Sequence, residues 1–136
     1  MQDLEQTVRA IFATWQGADE VVDGWKRYCS NDIVWWNSAR GALTGMDENI
    51  TGLRRMQEFV GAHHWRVNIK NIWVVGDTVI AERTDTAVGE DARDIAGAHV
   101  VGIINFNDAG QVTEWRDYCD DWTRDFRPNA EQRSFV

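Results

Sequence analysis

The chain has 136 residues, 22 acidic against 14 basic side chains and a net charge of −8. That length fits a single domain over residues 1–136 with room for a sizeable core. The acidic balance, with no basic run anywhere, argues against nucleic acid or an anionic membrane as partner. Eight tryptophans are a heavy load, and a single proline leaves few rigid loops.

Residues 1–30 alternate charge and hydrophobe from the start, so we read no signal peptide and no apolar stretch of spanning length, and expect a cytoplasmic protein. Leu4, Val8, Ile11, Phe12 and Trp15 recur at helical spacing, which predicts a first amphipathic helix over about 2–16. Gly17 ends it, and Asp19 can cap a second helix carrying Val22, Trp25, Tyr28 and Cys29. The β-branched and aromatic run DIVWWN at 32–37 reads as a short strand, and Gly41 and Gly45 break the chain before a third helix over about 47–60. Ile50, Leu53, Met56 and Phe59 form the apolar stripe of that helix.

From His64 the period changes to two, with Trp65, Val67, Ile69, Trp73 and Val75 alternating with Arg66, Asn68 and Lys70. Gly76 and Asp77 read as a tight hairpin turn into a strand over 78–88. A looser connection over 89–96 leads to a nearly continuous hydrophobic strand at 98–106. Residues 107–110 then turn the chain into a last strand, VTEWRDYCDDW, at 112–122. The polar tail at 125–136 reads as a surface arm or a partner contact. Helices first and antiparallel strands after them predict an α+β domain, a strongly curved sheet with helices packed over one face and enclosing a deep apolar pocket.

Within this frame the unusual residues are polar ones on apolar faces. Arg83 and Asp85 share a strand face with Val79, Ala81 and Ala87, and Asp117 shares one with Thr113, Trp115 and Cys119. Isolated buried charges are very costly, so the arginine and the two carboxylates are expected to pair with one another. An arginine fork can bond both acids at once, and an acid pair so coupled can hold one neutral and one ionised member, a general acid beside a general base. Read from the residues alone, the trio fits that chemistry and a plain core ion-pair network equally well. Arg116 and Asp120, on the opposite face, read as solvated charges.

The motifs ERTD at 82–85 and WRDY at 115–118, with Trp35-x-Asn37 upstream, resemble in order and spacing the limonene-1,2-epoxide hydrolase family, over about residues 5–122. That resemblance implies a curved mixed sheet with covering helices, similar to nuclear transport factor two and ketosteroid isomerase. It also implies a homodimer that uses no metal or cofactor, and a one-step addition of water to a hydrophobic epoxide giving a vicinal diol. By the same resemblance Asp117 is the general base toward water, Asp85 the general acid toward the epoxide oxygen, Arg83 their bridge and Asn37 an amide that helps hold the water. Trp115 falls on an aromatic wall, and Ala87, Ala98, Val100 and Cys119 line the substrate pocket, several of them smaller than the family's usual side chains.

One position departs from the pattern. The family has a tyrosine where this chain has Trp35, and an indole is a donor only. Trp36, one residue on, points to the other face as core or interface packing. An isomerase or cyclase of the ketosteroid-isomerase or polyketide-cyclase type on the same fold therefore stays open, as does a non-catalytic ligand-binding module. His63, His64 and His99 read as exposed, outer-face or dimer-contact residues without metal-ligand spacing. Cys29 and Cys119 lack CxxC spacing and read as two buried thiols rather than a disulfide or zinc knuckle.

Overall fold

The fold is taken from a computed structural model, which describes residues 3–17 and 19–120. The predicted continuation of the last strand to Trp122 and the arm at 125–136 lie outside the described residues. Helix α1 (Leu4–Ala13) starts at Asp3, whose carboxylate accepts the Gln6 N–H at 3.1 Å. A 3₁₀ turn (Thr14–Gln16) and α2 (Glu20–Tyr28) follow, then strands β1 (Cys29–Asn37) and β2 (Gly41–Thr44), helix α3 (Met46–Val60), and strands β3 (His64–Val75), β4 (Thr78–Val88), β5 (Asp94–Phe106) and β6 (Val112–Cys119). No described helix is long and apolar enough to cross a membrane.

The six strands form one curved mixed sheet in the order β2-β1-β6-β5-β4-β3, with β1 and β6 parallel and every other pair antiparallel. The α+β class expected from the sequence is therefore what the chain adopts. Placing β1 beside β6 joins the first strand to the last, so the helices on either side of β1 must cross one face of the sheet. Helix α1 and the 3₁₀ turn pack on β3, and α2 and α3 pack on β1. The core lies between these layers. Val8, Ile11, Phe12, Trp15, Val21 and Trp25 from the helical side meet Ile33, Trp35, Val79, Ala81, Ile104 and Trp115 from the sheet.

Several boundaries differ from expectation, each for a local reason. The first helix tightens into 3₁₀ geometry at Thr14, whose hydroxyl donates to the Ile11 carbonyl at 2.6 Å and so competes with the helical ladder. Cys29 is not helical: it opens β1, three residues before the predicted start. The glycine-flanked break at 41–45 contains β2, an edge strand too short to show a period. Strand β5 begins at Asp94 rather than 98, its polar first turns paired against β4. Of the predicted α3 stripe, Leu53 is buried and Ile50 and Met56 pack partly against the core, but Phe59 is 89% exposed, and Asn49 and Gln57 share the buried face with Leu53. Cys29 is buried, but Cys119 is only partly so, at the open end of β6.

The largest departure sits in β3. Its register against β4 shifts between Ile69 and Asn71, a β-bulge that inverts the alternation beyond it. Trp65, Val67 and Ile69 face the core as predicted, but after the bulge Ile72 does so, and Trp73 and Val75 are exposed. The two hairpin turns are where the sequence places them. Gly76, at φ 62°, supplies the left-handed residue of the first, and Asn107 with Gly110 closes the second through Gly110 N–H to the Asn107 carbonyl at 2.9 Å.

Asn49 is the polar residue that ties this part of the fold together. Buried on α3, its Nδ2 donates to the carbonyls of Ile33 (3.2 Å), Leu43 (3.1 Å) and Gly45 (2.7 Å), linking β1, β2 and the start of its own helix. An Asn49→Ala change strips partners from buried carbonyls and is expected to cost about 2–4 kcal/mol, read as a lower urea midpoint with an unchanged slope.

Candidate active site

Alternation along β4 turns Val79, Ala81, Arg83, Asp85 and Ala87 toward the helices, and the same alternation on β6 turns Trp115 and Asp117 inward. Arg83, Asp85 and Asp117 are 1%, 7% and 2% exposed. The three meet as the spacing predicted. Arg83 Nε donates to Asp85 Oδ1 at 2.9 Å, and Nη2 donates to Asp117 Oδ1 at 2.9 Å. The fork thus spans from β4 to β6 across the intervening β5.

That crossing needs space, which Gly102 provides. It pairs with Ala81 on one side and Asp117 on the other. A Cβ placed on it would lie 2.5 Å from Arg83 Nη1 and 2.9 Å from Asp117 Oδ1. The guanidinium is held from the helical side by aromatic rings, with its carbon 4.8 Å over the centre of Phe12 and 5.9 Å from those of Trp15 and Trp115. Those rings belong to a cluster in which Trp25 contacts Trp35 at 5.1 Å and Trp115 at 5.6 Å, centre to centre.

The two carboxylates are treated differently. Asp117 accepts three N–H donors: Arg83 Nη2 and Trp115 Nε1 (2.8 Å) on Oδ1, and Trp35 Nε1 (3.1 Å) on Oδ2. Asp85 accepts one from Arg83. Burial raises the Asp85 pKa above the ordinary aspartate value. The charge and hydrogen bond of Arg83 oppose that rise, and the nearby Asp117 charge adds to it. The net direction is upward, which widens the pH range of the neutral acid. For Arg83 burial acts in the lowering direction, but the two carboxylates outweigh it and hold the guanidinium charged. The Cys119 thiol is pushed up to about 11 by burial and by the Asp117 charge, so it is a poor nucleophile at neutral pH.

The remaining expected residues fall around this network. Asn37 pairs with Asp117 in the β1–β6 register, but its amide Nδ2 reaches Cys119 Sγ at 3.5 Å and its Oδ1 accepts the Ala39 N–H at 2.8 Å. Ala87, Ala98 and Val100 are buried on the same sheet face, Ala98 and Val100 pairing across to Asp85 and Arg83. Trp115 is wholly buried, so its first job is orienting Asp117. Trp36 turns to the outer face and packs on Tyr118 at 4.9 Å, and His99 is exposed there beside Thr84.

Sequence reasoning missed Gly102, the ring support from Phe12, Trp15 and Trp25, and Arg40, whose guanidinium sits 4.3 Å over the Trp35 ring. The tryptophan excess was the available signal for the ring cluster. Gly102→Ala should lose about 1–3 kcal/mol by overpacking, since neither the Arg83 fork nor Asp117 can move without breaking their bond. Chemical denaturation reads that loss.

The SnoaL-like domain model matches residues 8–115. Epoxide hydrolase EphG of Mycobacterium tuberculosis is 36% identical over 90 residues, covering 66% of this chain and 56% of that protein, so the chain spans little more than half the length of this curated relative. The structure of an LEH-like epoxide hydrolase from M. tuberculosis superposes with a TM-score of 0.70 at 30% identity, covering 89% of this chain and 82% of that one. A Jannaschia sp. CCS1 protein grouped with the SnoaL-like polyketide cyclases shares the fold at a TM-score of 0.69, with 22% identity and 88% and 92% coverage. The chain belongs to the SnoaL-like domain family, and within it resembles the epoxide hydrolases of the limonene-1,2-epoxide hydrolase type.

Proposed function

We propose that the chain is a cofactor-independent epoxide hydrolase that adds water to a hydrophobic epoxide in one step. The observation that carries this reading is the asymmetry of the acid pair on one arginine, with Asp85 held toward its neutral form and Asp117 serving as acceptor to three N–H groups. Asp117 accepts a proton from water as the water oxygen bonds to an epoxide carbon. That carbon's bond to the ring oxygen breaks, and Asp85 gives its proton to the oxygen. The product is a vicinal diol, and the pair is restored when a proton returns from Asp117 to Asp85.

Hydrogen-bond capacity supports one position for the water. Oδ1 of Asp117 already accepts two donors, which fills its in-plane lone pairs, while Oδ2 accepts only the Trp35 indole. The water therefore bonds to Oδ2 beside Trp35, and the indole fixes that oxygen instead of contacting the water as a tyrosine hydroxyl can. Ala87, Ala98, Val100 and Cys119 form the apolar wall for the substrate, with Trp115 behind it. Tyr118, Val101 and Trp73 leave exposed apolar surface on the outer side of the sheet, which suits a second copy of the chain and a homodimer.

A second reading is an isomerase or cyclase on this fold. Trp35 in place of the tyrosine favours it, as does the fold shared with the SnoaL-like cyclase group. Limonene oxide and styrene oxide supplied in oxygen-18 water separate the two, since hydrolysis puts the label in a diol and isomerisation does not. We expect labelled diol. Asp117→Asn is expected to keep its far-ultraviolet circular dichroism and lose about 10²–10⁴-fold in kcat/KM. A variant that kept its rate would sink the assignment.

The raised pKa of Asp85 also sets a pH profile. As general acid it works only while it holds its proton, and its raised pKa extends that range upward from the ordinary aspartate value. We expect kcat/KM to fall as pH rises through the raised value, and Asp85→Asn to abolish turnover at every pH. Over the same window the folded state holds a proton that the unfolded chain has released, so this group's contribution to stability also declines as pH rises.

A further inference from the structure

We propose that Arg40 is an anion-recognising residue at the rim of the site, so that the preferred substrate carries a carboxylate or similar oxyanion in addition to its epoxide. The inference rests on the proposed hydrolase site and adds the substrate class. Arg40 lies on the turn at 38–40 between β1 and β2, and that turn is stitched to the catalytic end of β6. Ser38 N donates to the Asp117 carbonyl at 2.9 Å, and Cys119 N donates to Ser38 Oγ at 2.9 Å. Ala39 N donates to Asn37 Oδ1 at 2.8 Å and Arg40 N to the Asn37 carbonyl at 3.0 Å. The turn is therefore fixed against the strands that hold Asp117 and Trp35.

The side chain is fixed as well. Its guanidinium stacks 4.3 Å over the ring of Trp35, the same indole whose N–H donates to Asp117. A guanidinium held over an aromatic ring still has N–H donors to offer an oxyanion. The other side of the comparison is charge. In this acidic chain Arg9, Arg54, Arg66, Arg83, Arg93 and Arg116 each form a salt bridge with a carboxylate, while Arg27 and Arg55 form none with a described residue. Arg40 is exposed and forms none with a described residue. Partial burial against the indole lowers its pKa somewhat, while the Asp117 charge acts in the opposite sense. It remains a cation, and it sits over the Trp35 ring beside a network whose other charges are already paired.

The test uses three epoxides of one skeleton: styrene oxide, its 4-carboxylate and its 4-trimethylammonium analogue. The expected order of kcat/KM is carboxylate above neutral above cation, with the carboxylate favoured about two- to fivefold over the neutral compound, the range of an exposed ion pair. Arg40→Gln should bring that ratio near one, and Arg40→Lys should keep part of it. Equal rates for all three, or a ratio that Arg40→Gln leaves in place, would overturn the proposal. Calorimetric binding of the corresponding diols to the intact protein reads the same preference without turnover. Carboxylated diol that binds through Arg40 while no epoxide is hydrolysed would defeat the hydrolase reading alone. Equal binding of charged and neutral diols, with hydrolysis intact, would defeat this inference alone.

Discussion

The bridge of Arg83 between Asp85 and Asp117 constrains nearly everything around it. Three ionisable groups in the dry layer between sheet and helices are tolerable only as a fully paired set, because removing any partner leaves a buried charge uncompensated. The pairing cannot be local, since the acids lie on strands separated by β5. Arg83 must therefore reach diagonally across a neighbouring strand, and the strand it crosses must present no side chain at that point. Gly102 meets that condition. The strand order is thus more than a scaffold, because inserting a different strand between β4 and β6 would close the path.

The aromatic cluster follows from the same constraint. A guanidinium withdrawn from water loses hydration that two carboxylates replace only in its plane, and its faces need polarisable contact. Phe12 and the rings of Trp15 and Trp115 supply it. Two of the tryptophans serve twice, since Trp115 and Trp35 pack into the core through their rings and bond Asp117 through their N–H groups. Buried indoles usually need an acceptor, and a buried carboxylate needs donors. For Trp35 and Trp115 these two needs answer each other, whereas Trp15, Trp25 and Trp65 contribute through ring packing, their buried N–H groups having no acceptor among the described residues.

What was legible in the sequence was whatever depended on period and residue type. Arg83 and Asp85 at a separation of two, among Val79, Ala81 and Ala87, could only point inward, and Asp117 followed from the same parity on β6. Parity also explains the failures. A single bulge after Ile69 exchanged the two faces of β3, so that Ile72 replaced Trp73, and no residue there marks the extra position. Phe59 was assigned to the core by hydrophobicity, whereas the sheet is met by Asn49 and Gln57, whose polar groups can reach strand carbonyls or sit beside them. Gly102 and Arg40 were invisible for another reason. Their importance arises from atoms brought near by tertiary structure, an approaching fork in one case and an indole face in the other.

Trp35 shows how one such substitution propagates. A tyrosine hydroxyl can donate and accept, and so can lie between a carboxylate and a water. An indole only donates, and here its N–H is committed to Asp117 Oδ2. In the proposed mechanism the base would meet its water with one oxygen fully occupied and the other half occupied, leaving a single direction for activating it. The larger ring also carries Arg40 on its outer face, something a hydroxyl-bearing ring bonded through its tip would hold at a different angle. In the proposed mechanism Trp35 would couple the geometry of water activation to the Arg40 charge over its ring. Within a shared fold, that coupling is a physical route by which substrate preference shifts while the acid pair itself is kept.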